Sequence, residues 1–133
     1  MESTLASYFD GVKILFAQEF ENAVVTKYDD GLNRAILEMW GDFGLYRVRL
    51  LEVVTHDLSR KYAYYVFNNE QVIVGFDNAP DPHALQLKYG ITYTAHRLER
   101  IPHCHIKNKT QVELTDEMRC ADFVAWVKAN LAS

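Results

Sequence analysis

Two cysteines, Cys104 and Cys120, are too few for a disulfide framework, so the fold has to be held by burial rather than by covalent staples. No apolar run is long enough to span a bilayer, and the N-terminus lacks a basic flank followed by an apolar core. Both absences lead to the expectation of a soluble, cytoplasmic protein with no membrane partner. There is no Gly-rich phosphate loop, no Gly-x-Ser-x-Gly elbow and no Cys-His-Asn order of a thiol protease, and no base is visibly dedicated to Cys104. No internal repeat, linker or low-complexity stretch divides the chain, so residues 1–133 are read as a single domain.

What is present is a chain of 133 residues, long enough to bury roughly two thirds of its unfolded surface. Its formal charge of -4 argues against indiscriminate nucleic-acid binding, but the charge is unevenly placed. Between Pro82 and Val112, Lys88, Arg97, Arg100, Lys107 and Lys109 face Glu99 alone, a net +4 that leaves the remainder at −8. A basic island in an acidic body can hold a phosphate or an acidic partner.

Leu5, Tyr8, Phe9, Val12 and Phe16 follow helical spacing, although Gly11 leaves room for a shorter helix with a strand at Val12 to Phe16. From Val24 the period becomes two. Val24 to Tyr28, Arg34 to Trp40, Leu45 to Thr55, Lys61 to Phe67 and Gln71 to Asp77 read as five strands. The short polar connections between them, including His56-Asp57-Leu58-Ser59, make successive strands hairpin neighbours. Tyr46, Val48 and Leu50 oppose Arg47 and Arg49, and Tyr62, Tyr64 and Val66 oppose Ala63, Tyr65 and Phe67. The last strand is apolar on both faces, which places it centrally and leaves its second face for a partner chain or a second copy, so a homo-oligomer is among the expectations. Thr115 reads as the N-cap of a helix from Asp116 to about Asn130, with Cys120, Phe123, Val124, Val127 and Leu131 as its apolar stripe. The expected class is therefore α+β: a five-stranded antiparallel meander flanked by N-terminal and C-terminal helices.

Four of the five histidines lie in the stretch from Phe76-Asp77-Asn78-Ala79-Pro80-Asp81-Pro82-His83 to Pro102-His103-Cys104-His105. Asp77 should end a buried strand, with Asn78-Ala79-Pro80 opening a turn. In an extended segment His103 and His105 share one face and Cys104 takes the other. Three readings compete for this cluster: a solvated loop, acid/base or phosphate-binding work, and a metal site needing a third ligand from His83, His96 or Asp77. A carboxylate at Asp77 aimed at His83 or His103 would fix the imidazole's tautomer. Tyr62, Tyr64 and Tyr65 suit either base stacking or ordinary sheet packing.

Lys61-Tyr62-Ala63-Tyr64-Tyr65, the Phe76-Asp77-Asn78-Ala79-Pro80 block, Pro102-His103-Cys104-His105 and the acidic-started C-terminal helix together resemble the TumE-like family of toxin components from prokaryotic toxin-antitoxin modules. The likeness covers roughly the second half of the chain. The family pattern has two histidines directly after the proline where this chain has Asp81-Pro82-His83, and a histidine-lysine pair where it has Cys104-His105. What the resemblance implies is a growth-inhibiting protein that acts on RNA and is neutralised by a cognate antitoxin. The resulting expectation is a metal-independent ribonuclease with no cofactor. Asp77, His83, His103 and His105 would be its catalytic residues, one histidine taking the proton of the ribose 2′-hydroxyl and a second protonating the leaving oxygen. Asn78, Arg97, Arg100 and Lys107 would bind the substrate. The alternatives are a non-catalytic protein whose basic segment docks an acidic partner, and a metal-dependent hydrolase.

Overall fold

Alternation along residues 21–77 does build consecutive antiparallel strands, and the same sheet then continues for two more. The computed structural model describes residues 4–57 and 59–131, so Leu58, in the expected turn after the third strand, lies outside the described residues. The order along the chain is α1 (Thr4–Glu19), β1 (Glu21–Asp30), β2 (Arg34–Phe43), β3 (Tyr46–Thr55), β4 (Arg60–Asn68), β5 (Gln71–Asp77), α2 (Pro82–Tyr89), a 3-10 turn (Gly90–His96), β6 (His103–Ile106), β7 (Gln111–Leu114) and α3 (Cys120–Asn130). The seven strands form one antiparallel sheet in chain order, not the five expected. The α+β class stands; the strand count is corrected because β6 and β7 are four residues each and too polar to read as strands by composition.

One face of the sheet carries α1 and α3. Val48, Leu50, Tyr62, Tyr64, Val66, Val74, Phe76 and Cys104 point into it, meeting Phe9, Val12 and Phe16 from α1 and Phe123, Val124 and Val127 from α3. The α1 stripe is as its spacing predicts, and the alternative strand at Val12 to Phe16 does not form. Tyr64 stacks on Phe123 at 5.2 Å and Phe76 meets Trp126 edge-on at 5.3 Å, the tilted and offset arrangements that aromatic quadrupoles favour. Among the described residues no helix is long and apolar enough to cross a membrane.

Glu52 interrupts this apolar face. It is wholly buried, and its carboxylate accepts from Tyr8 Oη at 2.5 Å, Arg60 Nε at 2.9 Å and Tyr64 Oη at 2.9 Å. Arg60 in turn donates to the Met118 carbonyl at 2.6 Å and covers the Tyr62 ring. Burial, aided by the Glu52 charge, pushes the Tyr8 hydroxyl up to about 12, so it stays a donor.

The final helix starts later than expected. Thr115 is not its cap: the Thr115 amide donates to the Pro102 carbonyl and the Met118 amide to Tyr62 Oη, and these bonds hold residues 115–119 out of the helix. The N-cap is Arg119, whose amide donates to the Asp122 carboxylate at 2.8 Å, the reaching-back arm of a capping box.

The connection from β5 to β6 forms α2. This helix was not among the expected elements; Asp81 caps it, accepting the Ala84 amide at 3.0 Å, and Pro82 takes the first helical position, where its missing amide costs nothing. Ala84, Leu85 and Ile101 form a second small core against Val112 of β7. The second face at this end of the sheet is thus covered by the chain's own α2.

Two outcomes follow for stability. Glu52→Ala should lose roughly 3 to 5 kcal/mol in urea unfolding, because it strands a buried guanidinium; a loss near that of an exposed substitution would contradict the network. Asp122→Ala should cost about 1 kcal/mol while Thr115→Ala stays within about 0.5 kcal/mol, and a reversed order would restore Thr115 as the cap.

Candidate functional site

The register of β5 against β6 sets Asp77 directly opposite His103 and Gly75 opposite His105. Since side chains alternate, Asp77, His103 and His105 all stand on the face away from α1 and α3, while Cys104 turns into the core beside Phe76. His103 Nε2 lies 3.2 Å from Asp77 Oδ1, His105 Nε2 lies 3.4 Å from Asp77 Oδ2, and the two Nε2 atoms are 3.2 Å apart. All three residues are buried: His103 is 1% exposed, His105 8% and Asp77 9%. Among the described residues these three form the group whose possible ligand atoms lie within 4.8 Å of one another.

Each member is held from behind. The Ala79 amide donates to Asp77 Oδ1 at 3.0 Å, and Tyr65 Oη donates to Asp77 Oδ2 at 3.1 Å. His103 Nδ1 sits 2.6 Å from the Ile101 carbonyl. Burial lowers the His105 imidazole below its ordinary value, opposed by the Asp77 charge and assisted by His103. The Tyr65 hydroxyl is pushed up by burial and then by Asp77, which keeps it protonated and donating. Tyr65 can reach Asp77 because its ring lies flat across Gly75, where any added Cβ would run into that ring.

Next to the cluster the same face carries a row of rings. Trp40 of β2 stacks on Phe67 of β4 at 5.6 Å, and Phe67 on Tyr65 at 6.0 Å. Cations lie over them: Arg47 and Arg49 over Trp40 at 4.9 and 5.8 Å, and Lys109 over Tyr65 at 5.5 Å. Arg49 is also anchored to Glu38 Oε2 by Nε at 3.0 Å and Nη2 at 2.6 Å.

Of the residues expected to act together, the structure unites Asp77, His103 and His105 and leaves the others elsewhere. The His83 side chain is 79% exposed, with Nδ1 4.0 Å from the Asp81 carboxylate. His96 stacks on Tyr89 and pairs with Glu99. Asn78 is buried in a structural role, accepting the Tyr62 amide at 3.0 Å and donating to the Arg60 carbonyl at 2.9 Å, which extends the β4 pairing past the end of β5. Arg97 and Lys107 are exposed, and Arg100 donates to Ser59 Oγ at 2.6 Å. Cys104 faces the core, away from the cluster, and burial, then Glu113, raises its thiol above the ordinary value.

Sequence reasoning missed Tyr65 as a partner of Asp77, and Ile101 as the acceptor that orients His103. The glycine in an otherwise β-branched and aromatic strand was the available sign of a close approach at Gly75. No family model matches the chain, and no curated protein or solved structure is found similar to it.

Proposed function

We propose that this chain is the toxin-like member of a toxin-antitoxin pair and that it cleaves RNA at the Asp77, His103 and His105 cluster, with a cognate antitoxin as its protein partner. The observation that carries this reading is adjacency: a buried carboxylate and two imidazoles lie at the end of an aromatic row with cations over its rings. Trp40, Phe67 and Tyr65 offer faces on which unpaired bases can stack, and Arg47, Arg49 and Lys109 supply charge for the phosphates between them. The cations on this face explain how a chain of net charge -4 can present a local site for a polyanion.

Two routes to phosphodiester cleavage compete. In the metal-independent route expected from sequence, one imidazole has to reach the 2′-hydroxyl proton and the other the leaving oxygen. Here both Nε2 atoms turn toward each other and toward Asp77. That convergence favours the second route, hydrolysis assisted by a metal ion, in which a water oxygen joins the phosphorus and the ester P–O bond breaks with its electron pair and a proton going to the departing oxygen.

Expression of the chain should arrest growth with loss of intact RNA. Asp77→Asn and His105→Asn should abolish both effects with the fold preserved by circular dichroism, and His83→Asn should retain them. Trp40→Ala should weaken single-stranded RNA binding by about fivefold or more, from the roughly 1 to 3 kcal/mol that a stacked base contributes. If the cluster variants still arrest growth while Arg97→Ala and Arg100→Ala do not, the chain is a docking protein and the nuclease reading fails.

A further inference from the structure

The hydrogen bonds around the cluster determine what its centre has to contain. His103 Nδ1 faces the Ile101 carbonyl, which only accepts, so Nδ1 carries a proton and donates it. In the neutral ring Nε2 is then a lone pair, and it faces Asp77 Oδ1 and His105 Nε2, both at 3.2 Å. Asp77 has each oxygen already engaged from behind, by the Ala79 amide and the Tyr65 hydroxyl, which leaves a lone pair of each oxygen turned toward an imidazole. Acceptors facing acceptors in a buried site repel unless they share a cation.

Protons satisfy this arrangement poorly. A single proton, on either Nε2, can be shared with the carboxylate and the other imidazole, but it leaves that other ring's lone pair facing its own carboxylate oxygen. A proton on each makes His103 an imidazolium and sets two N–H bonds head to head across 3.2 Å. One divalent cation satisfies all three contacts together. The size agrees as well: ligand bonds of about 2.1 Å place neighbouring donors about 3.0 Å apart at right angles and about 3.4 Å apart at the tetrahedral angle, and the three contacts are 3.2, 3.2 and 3.4 Å.

We infer that Asp77, His103 and His105 form a three-ligand site for a divalent first-row transition metal ion. Two imidazoles and one carboxylate, with Cys104 turned away into the core, suit zinc, iron, manganese or cobalt rather than magnesium or calcium. Three protein ligands leave at least one coordination position open, which distinguishes a reactive centre from a closed structural one. When bound, the ion supplies a Lewis acid and lowers the pKa of a coordinated water. Tyr65, Ala79 and Ile101 are the positioning groups: they aim Asp77 and His103 inward and fix the His103 tautomer.

The test uses the full chain, purified, treated with chelator and dialysed. Titration with zinc chloride by calorimetry should give one site per chain and raise the unfolding temperature, with magnesium doing neither. Tyr65→Phe should keep the site but weaken zinc binding about tenfold or more, the usual effect of removing a hydrogen bond behind a ligand. His83→Asn should bind as the unaltered chain does. Cobalt bound to the unaltered chain should give the visible absorption of a four- or five-coordinate site, a measurement that needs no ligand variant to fold. Absence of both calorimetric binding and cobalt absorption in the folded, unaltered chain would overturn the inference, as would undiminished zinc binding in a folded His103→Asn, His105→Asn variant. This inference does not rest on the nuclease reading: zinc binding without RNA cleavage would sink the nuclease and keep the metal, and cleavage by chelated protein that binds no zinc would do the reverse.

Discussion

The pairing of β5 with β6 is the constraint on which the rest of this structure depends. It sets Asp77 opposite His103, and because side chains alternate with a period of two, it also fixes which face receives His105. A slip of one residue would move both imidazoles into the helix-covered core and bring Cys104 out in their place. That slip is opposed from the core side, where Val74, Phe76 and Cys104 are buried among the aromatic side chains of α3. Packing of ordinary apolar residues on one face therefore holds the geometry of the polar cluster on the other.

The two faces of the sheet divide the work. The face under α1 and α3 buries most of the apolar side chains, and its buried ion pair, Glu52 with Arg60, is surrounded by donors and rings. Such a pair contributes little net stability compared with an apolar replacement but is costly to break on one side. The opposite face is left half-open at β2 to β4, where Trp40, Phe67 and Tyr65 stack, and is closed at β7 by α2. The cluster lies where the open and covered parts meet, buried enough to strengthen its electrostatics and still carrying the small exposure of Asp77 and His105.

Much of the fold could be read from alternation and turn chemistry. The opposition of Arg47 and Arg49 to Val48 and Leu50, the ending of β5 at Asp77, and the shared face of His103 and His105 all followed from a period of two. What could not be read depends on long-range contact. The two short strands lack enough residues to show a period, and Thr115 has the composition of a cap but gives its amide to Pro102 instead. Asn78 looked like a turn or ligand residue and serves as a backbone mimic, because only the fold brings Tyr62 and Arg60 to its amide group. His83 looked equivalent to the other histidines, yet the Asp81-Pro82 helix start carries it to the surface. The choice of Asp77 as the third member of the cluster required the register, which no local pattern encodes.

The central claim is that a single metal cation, rather than protons, reconciles Asp77, His103 and His105, and histidine ring nitrogens report this directly. Long-range proton-nitrogen correlation spectra of the nitrogen-15-labelled chain should show His103 protonated at Nδ1 in both states, with the Nε2 signals of His103 and His105 moving together to metal-bound positions on addition of one equivalent of zinc while His83 and His96 stay in place. Nε2 of His103 remaining protonated in the presence of zinc would contradict the account.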